Sequence, residues 1–159
     1  MIKSETSLLK NKRHGTSDTR TVGAKGEELA AKFLAGNGYR LVMSNFKTPV
    51  GRNANGAEIT GEIDLIALDG ETLCFIEVKT RVVDDVASPL AAVTLRKQRQ
   101  ITRTAKVYRR IFGVTDMAYR YDVVSIVLGH SGDPSIELHK SFWTESKFKK
   151  RNWHFEAWD

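Results

Sequence analysis

Two short stretches carry the side chains best suited to chemistry: Gly61-Glu62-Ile63-Asp64-Leu65-Ile66-Ala67 and Phe75-Ile76-Glu77-Val78-Lys79. Both read as strands. Side chains alternate along a strand, so Glu62 shares a face with Asp64, and Glu77 with Lys79. The Asp69-Gly70 pair between them is a hairpin signal. An even-length loop keeps all four charged residues on one face of the sheet, whereas an odd one turns them apart. A two-residue loop at Asp69-Gly70 sets Asp64 opposite Phe75 and Glu62 opposite Glu77. A four-residue loop from Asp69 to Thr72 sets Asp64 opposite Glu77 and Glu62 opposite Lys79.

Three carboxylates and an amine on an apolar hairpin are costly to bury unless they are paired or hold a cation. Close carboxylates repel, so one is driven toward its protonated form unless a cation lies between them. Hard oxygen ligands suit Mg²⁺ or Mn²⁺, and Mg²⁺ takes one or two protein carboxylates, completing its shell with water and substrate phosphate. The Lys79 ammonium is then placed to orient an attacking water or to stabilise charge developing at phosphorus. The same residues would equally serve as exposed cross-strand salt bridges, Glu62 or Glu77 with Lys79. The hairpin alone leaves both readings open.

The elements that must position these residues follow from periodicity. Leu29, Ala30, Phe33 and Leu34 recur at helical spacing after Gly26-Glu27-Glu28, and Gly36-Asn37-Gly38 ends that helix. A strand is expected over Tyr39 to Asn45. Lys47 to Thr60, with Pro49, Gly51, Asn53, Asn55 and Gly56, reads as a loop. The strands Glu62 to Leu68 and Leu73 to Thr80 come next, then a connection over Arg81 to Ala87. Either Ser88-Pro89 or Thr94 can start the long helix that runs to about Phe112. Leu95, Gln98, Ile101, Ala105, Tyr108 and Phe112 mark its apolar side. Tyr119 to Leu128 is an apolar strand suited to the middle of a sheet, and Ser135 to His139 a shorter one. The order α-β-β-β-α-β-β predicts an α/β fold, a mixed sheet flanked by helices.

That long helix contains Arg96, Lys97, Arg99, Arg103, Lys106, Arg109 and Arg110 and no acid, leaving 18 basic and 19 acidic residues elsewhere. The net charge of +6 is therefore concentrated there. An amphipathic helix needs a polar outer face, and Lys or Arg suits it. Yet the acids that normally pair with such cations at i,i+4 are missing, which favours binding of a phosphate backbone. Gln98 interrupts the apolar stripe; it either points toward the acidic cluster or bonds buried backbone. The four histidines show no metal-ligand spacing, the serines no nucleophile-elbow context, and Gly26 to Lys32 lacks the Gly-Lys-Ser/Thr ending of a phosphate loop. Trp143, Trp153 and Trp158 read as packing residues.

The combined motifs resemble one family. Gly23-x-x-Gly26-Glu27-Glu28-Leu29-Ala30-Ala31, Gly38-Tyr39, Asn45, Gly61-Glu62-Ile63-Asp64-Leu65-Ile66, Phe75-Ile76-Glu77-Val78-Lys79-Thr80-Arg81, Lys97 and Tyr121-Asp122-Val123-Val124 stand in its order and rough spacing. This is the YraN family of uncharacterised bacterial proteins, whose fold is restriction-endonuclease-like and similar to that of archaeal Holliday-junction resolvases. The resemblance covers about residues 23 to 128. It implies a metal-dependent DNA endonuclease: Asp64 and Glu77 as ligands to Mg²⁺ or Mn²⁺, Lys79 as the catalytic lysine, and Glu27 completing the metal site. Glu28 competes with Glu27 for that role. Glu62 and Gln98 are expected in support, and resolvase-like relatives imply a homodimer. The alternative of a different class is a catalytically silent nucleic acid-binding module of the same fold. Lys47 to Ala57 is longer than the family's usual link, as is the N-terminal extension.

The chain has 159 residues, 41% of them hydrophobic, enough for one core and one domain over 23–159. Residues 1–22 are basic and lack periodicity, so a disordered tail is expected there, with a nucleic acid-binding arm as the functional alternative. Lys147, Lys149, Lys150 and Arg151, with Phe148, Trp153, Phe155 and Trp158, form a basic aromatic C-terminal segment expected to dock on the body. No apolar run approaches the ~20 residues of a membrane span. Lys10, Lys12 and Arg13 interrupt any signal-peptide core. The single cysteine, Cys74, allows no intrachain disulfide and fits the cytoplasm.

Overall fold

The computed structural model describes residues 15–149, with side chains from residue 19 onward. Residues 1–14 and 150–159, including Lys150, Arg151, Trp153, Phe155 and Trp158, lie outside the described residues. The elements are α1 (Gly15–Gly36), β1 (Arg40–Arg52), β2 (Glu58–Asp69), β3 (Thr72–Val82), α2 (Leu95–Ile111), β4 (Tyr119–Leu128) and β5 (Ser135–Trp143). Short 3-10 turns occupy Pro89–Ala92 and Glu145–Phe148. The sheet runs in the order β1-β2-β3-β4-β5. All neighbours are antiparallel except β3 and β4, which are parallel because α2 connects them. This is the expected α/β class, a mixed sheet flanked by helices.

The helices bury opposite faces of the sheet. Ala30 and Leu34 of α1 pack on Leu65, Cys74, Ile76, Val124 and Ile126. Ile101, Ala105 and Tyr108 of α2 pack on Ile63, Ile66, Phe75, Tyr121 and Trp143. The Tyr121 and Trp143 rings stack at 5.0 Å, and the Trp143 indole donates to the Thr102 hydroxyl at 3.0 Å. Thr94 is the N-cap of α2, accepting from the Lys97 amide at 3.3 Å. Among the described residues no helix is long and apolar enough to cross a membrane.

Three expectations need correction. The segment expected as a loop from Lys47 to Thr60 is an extended hairpin: β1 continues to Arg52 and β2 starts at Glu58. Pro49 is tolerated because β1 is an edge strand, and bulges at Leu41/Met43 and Pro49/Gly51 absorb its irregularity. The Asn53 side chain closes the turn, accepting from the Asn55 and Ala57 amides at 3.0 and 2.9 Å. Second, α1 begins at Gly15, inside the segment expected to be a disordered tail. Its first turns have no apolar stripe to signal them, and among the described residues the buried core side chains of α1 begin at Ala30. Third, β5 reaches Trp143 rather than His139, with a shift in pairing between Tyr121 and Val123. β4 is interior, as expected, but the middle position belongs to β3.

The β2–β3 loop has even length. Asp69 pairs with Thr72 across Gly70-Glu71, and Gly70 takes a φ of 60° that favours glycine. Leu65 pairs with Ile76, which directs Asp64 toward Glu77, the second of the two registers considered.

Candidate functional site

The site lies where β2 parts from β3. Their ladder ends at Leu65–Ile76, and the Asp64 side chain takes over, accepting from the Val78 amide at 2.8 Å. Glu77 is 1% exposed. Its Oε1 lies 2.6 Å from the Lys79 ammonium and 3.6 Å from that of Lys97 on α2. Its Oε2 is buried without a hydrogen-bond partner. Such an atom forgoes the hydrogen bonds it makes in water, which costs about 1–3 kcal/mol or more for a charged group.

α1 closes the other side. It approaches β3 so tightly at Gly26 that a Cβ there would overlap the Thr80 hydroxyl, and this contact carries Glu27 to the rim. Glu27, Asp64, Glu77, Lys79, Thr80 and Lys97 thus line one cleft of about 260 Å³. Burial pushes the Asp64 carboxyl up to about 7, and the charges of Glu77 and Glu27 push the same way against the Val78 amide and Lys97.

The four residues expected to carry chemistry, Glu27, Asp64, Glu77 and Lys79, are therefore together. Glu28 is not among them: it faces away and binds Lys32 at 2.7 Å. Glu62 is directed to β1 and pairs with Lys47 at 3.4 Å, outside the cleft. Gln98 takes its duller role, donating to the Val93 carbonyl at 2.9 Å and accepting from Lys147 at 3.2 Å. Lys97, which the sequence groups with the cationic face, belongs instead to the acidic site. Its signal is its place in the first turn of α2, within reach of Glu77 on β3.

The remaining cations of α2 divide in two. Arg109, 14% exposed, lies over the Tyr119 ring at 3.7 Å and pairs with Glu145 at 3.9 Å, so it is structural. Lys106 also pairs with Glu145, at 3.6 Å. Arg96, Arg99, Arg103 and Arg110 are exposed and form no ion pair among the described residues. Arg99 does meet an aromatic ring, that of Phe148, at 5.5 Å.

Two close carboxylates, one with an orphaned buried oxygen, match the hard-oxygen donor set of Mg²⁺ or Mn²⁺. Among the described residues no three His, Cys, Asp or Glu side chains are grouped to hold a metal.

The family profile described as "Uncharacterised protein family UPF0102" matches residues 26–126. The chain belongs to UPF0102, the YraN family. The match begins at Gly26 and continues past Lys97, so it spans every residue of the cleft from Glu27 onward. A UPF0102 protein of Chlorobium limicola is 41% identical over 135 residues, covering 81% of this chain and 97% of that one. One from Chlorobaculum parvum is 43% identical over 121 residues, covering 75% and 84%. The solved structure titled "Crystal structure of SSO0001" aligns with a TM-score of 0.37 and 15% identity. It covers 82% of this chain and 56% of that one, a likeness too weak to bear on the fold.

Proposed function

We propose that this UPF0102 protein is a metal-dependent nuclease that hydrolyses DNA phosphodiester bonds, acting on branched or damaged DNA. The observation that carries the reading is Glu77, a carboxylate 1% exposed with one oxygen unpartnered, facing a second carboxyl whose pKa is pushed up to about 7. A salt bridge alone gives no reason to bury that second oxygen, whereas a divalent cation does.

In this reading Asp64 and Glu77 hold Mg²⁺ or Mn²⁺, with Glu27 contributing from the rim. When bound, the ion supplies Lewis-acid polarisation of the phosphodiester and a more acidic water. The Val78 amide fixes the Asp64 carboxylate by its 2.8 Å bond. Lys79, 26% exposed, reaches the cleft from the same strand as Glu77 and stabilises charge developing on a phosphoryl oxygen. Lys97 holds Glu77 from the α2 side, and the unpaired arginines of α2 grip flanking phosphates.

The ion pairs of Glu77 with Lys79 and Lys97 favour the second reading, a catalytically silent nucleic acid-binding module, because they partly neutralise the site without a metal. Purified protein with Mg²⁺ or Mn²⁺ on duplex, flap and four-way DNA separates the two. Cleavage by the wild type that disappears in Asp64→Asn and Lys79→Ala supports the nuclease. Cleavage that survives either substitution assigns it to a contaminant or another site.

A further inference from the structure

A second cleft, of about 240 Å³, lies between α2 and the extended β1–β2 hairpin, lined by Val50, Ile59, Arg96, Arg99, Gln100 and Arg103. Its construction is specific to the hairpin. Gln100 donates to the Thr60 carbonyl at 2.9 Å, and at Gly61 a Cβ would overlap the Thr104 hydroxyl, so β2 and α2 are locked together along the floor. Residues 96, 99 and 103 recur at three- and four-residue spacing and so share one face of the helix.

The chemistry of this cleft is two-sided. One wall presents three guanidinium groups without an ion-pair partner among the described residues, although other cations of the same helix have found acids. Guanidinium groups without an acid partner suit phosphate, which accepts their paired N–H donors. The opposite wall is the apolar pair Val50 and Ile59. A phosphate alone needs no apolar wall. A nucleobase does, and it also stacks on guanidinium planes. The volume is below the roughly 300–1,000 Å³ of pockets for drug-sized molecules and fits a single flat ring system.

We propose that this cleft binds one unpaired nucleotide of the nucleic acid strand, its phosphate on Arg96, Arg99 and Arg103 and its base against Val50 and Ile59. The inference rests on the reading that the protein acts on nucleic acid, and it names the substrate class: a strand with a locally unpaired nucleotide rather than a continuous duplex. A base stacked and paired within a duplex cannot enter a concave site without leaving the stack, which costs energy that a flap or lesion has already supplied.

The test is binding of the full chain in EDTA to a fluorescein-labelled flap and to a continuous duplex of equal length, with 2-aminopurine at the unpaired position. The wild type should prefer the flap by 10-fold or more and change the 2-aminopurine signal. Arg99→Gln with Arg103→Gln, both at exposed positions, should weaken flap binding about 10-fold and duplex binding far less. Val50→Ala with Ile59→Ala should remove the flap preference while duplex affinity and the unfolding midpoint hold. Equal loss on both DNAs, or a wild type without preference, overturns the nucleotide cleft. Flap preference in EDTA with no cleavage once Mg²⁺ or Mn²⁺ is added supports the cleft and refutes the nuclease, and metal-dependent cleavage without flap preference does the reverse.

Discussion

Replacing Asp64 with asparagine should stabilise the metal-free protein at neutral pH, although it removes an acidic side chain from the candidate site. The introduced amide keeps an oxygen to accept the Val78 N–H, now held at 2.8 Å, and loses only the charge. The carboxyl stands at about 7 in the fold against an ordinary 3.8. The folded protein therefore binds this proton more tightly than the unfolded chain. Its stabilising contribution is complete below 3.8 and is lost as pH rises through about 7. Each pH unit between those values is worth about 1.4 kcal/mol, so the full span sets a ceiling of about 4 kcal/mol. Subtracting the wild-type curve from the variant curve cancels the other titrating groups. The difference should be small near pH 4 and grow by about 3 kcal/mol between pH 5 and pH 8 in favour of the variant. In a chain of this size that is about 6–12 °C in Tm. Denaturant unfolding in EDTA, followed by tryptophan fluorescence, measures it. A flat difference, or a variant less stable at pH 8, refutes the argument that Asp64 is held in electrostatic conflict.

Lys79→Ala should lower any cleavage by about 100-fold or more with DNA affinity within a few-fold, as read by single-turnover kinetics beside equilibrium binding. Glu62→Ala should leave cleavage within about twofold and stability within about 1 kcal/mol, because its exposed pair with Lys47 is outside the cleft. Gly26→Ala should cost about 1–3 kcal/mol in unfolding measurements, since its methyl meets the Thr80 side chain and pushes α1 with Glu27 away. Arg109→Ala should reduce stability and spare DNA affinity, whereas Arg103→Ala should do the opposite, because only Arg109 is stacked and paired inside the fold.

Much of this arrangement was legible from local pattern. The alternation in Glu62–Asp64 and Glu77–Lys79 and the Asp-Gly turn predicted a hairpin with two even-loop registers open, and the structure takes the one that directs Asp64 toward Glu77. What alternation could not supply was where the ladder stops. Glu62 shares the strand with Asp64, yet β2 has left β3 by that point and Glu62 meets Lys47 on β1 instead. The hairpin over 47–60 was hidden because Pro49, Gly51 and Gly56 signal a loop in isolation. On an edge strand with bulges those residues are compatible with pairing. The charge of α2 was visible as a total but not as a distribution: its partition among Glu77, Glu145 and open cleft depends on tertiary contacts with no signature in the helix itself. Glu27 and Glu28 were indistinguishable until α1 was seated on β3 at Gly26.

The most direct test of the central claim, that Asp64 and Glu77 form a metal centre rather than a salt-bridged hairpin, is titration of the full chain with Mn²⁺ followed by electron paramagnetic resonance. The wild type should bind one ion with an affinity that strengthens as pH rises toward about 7 and Asp64 gives up its proton. Binding should be lost in Asp64→Asn and in Glu77→Gln. Wild-type protein that binds no Mn²⁺ above pH 7, or variants that bind it as tightly as the wild type, would contradict the claim.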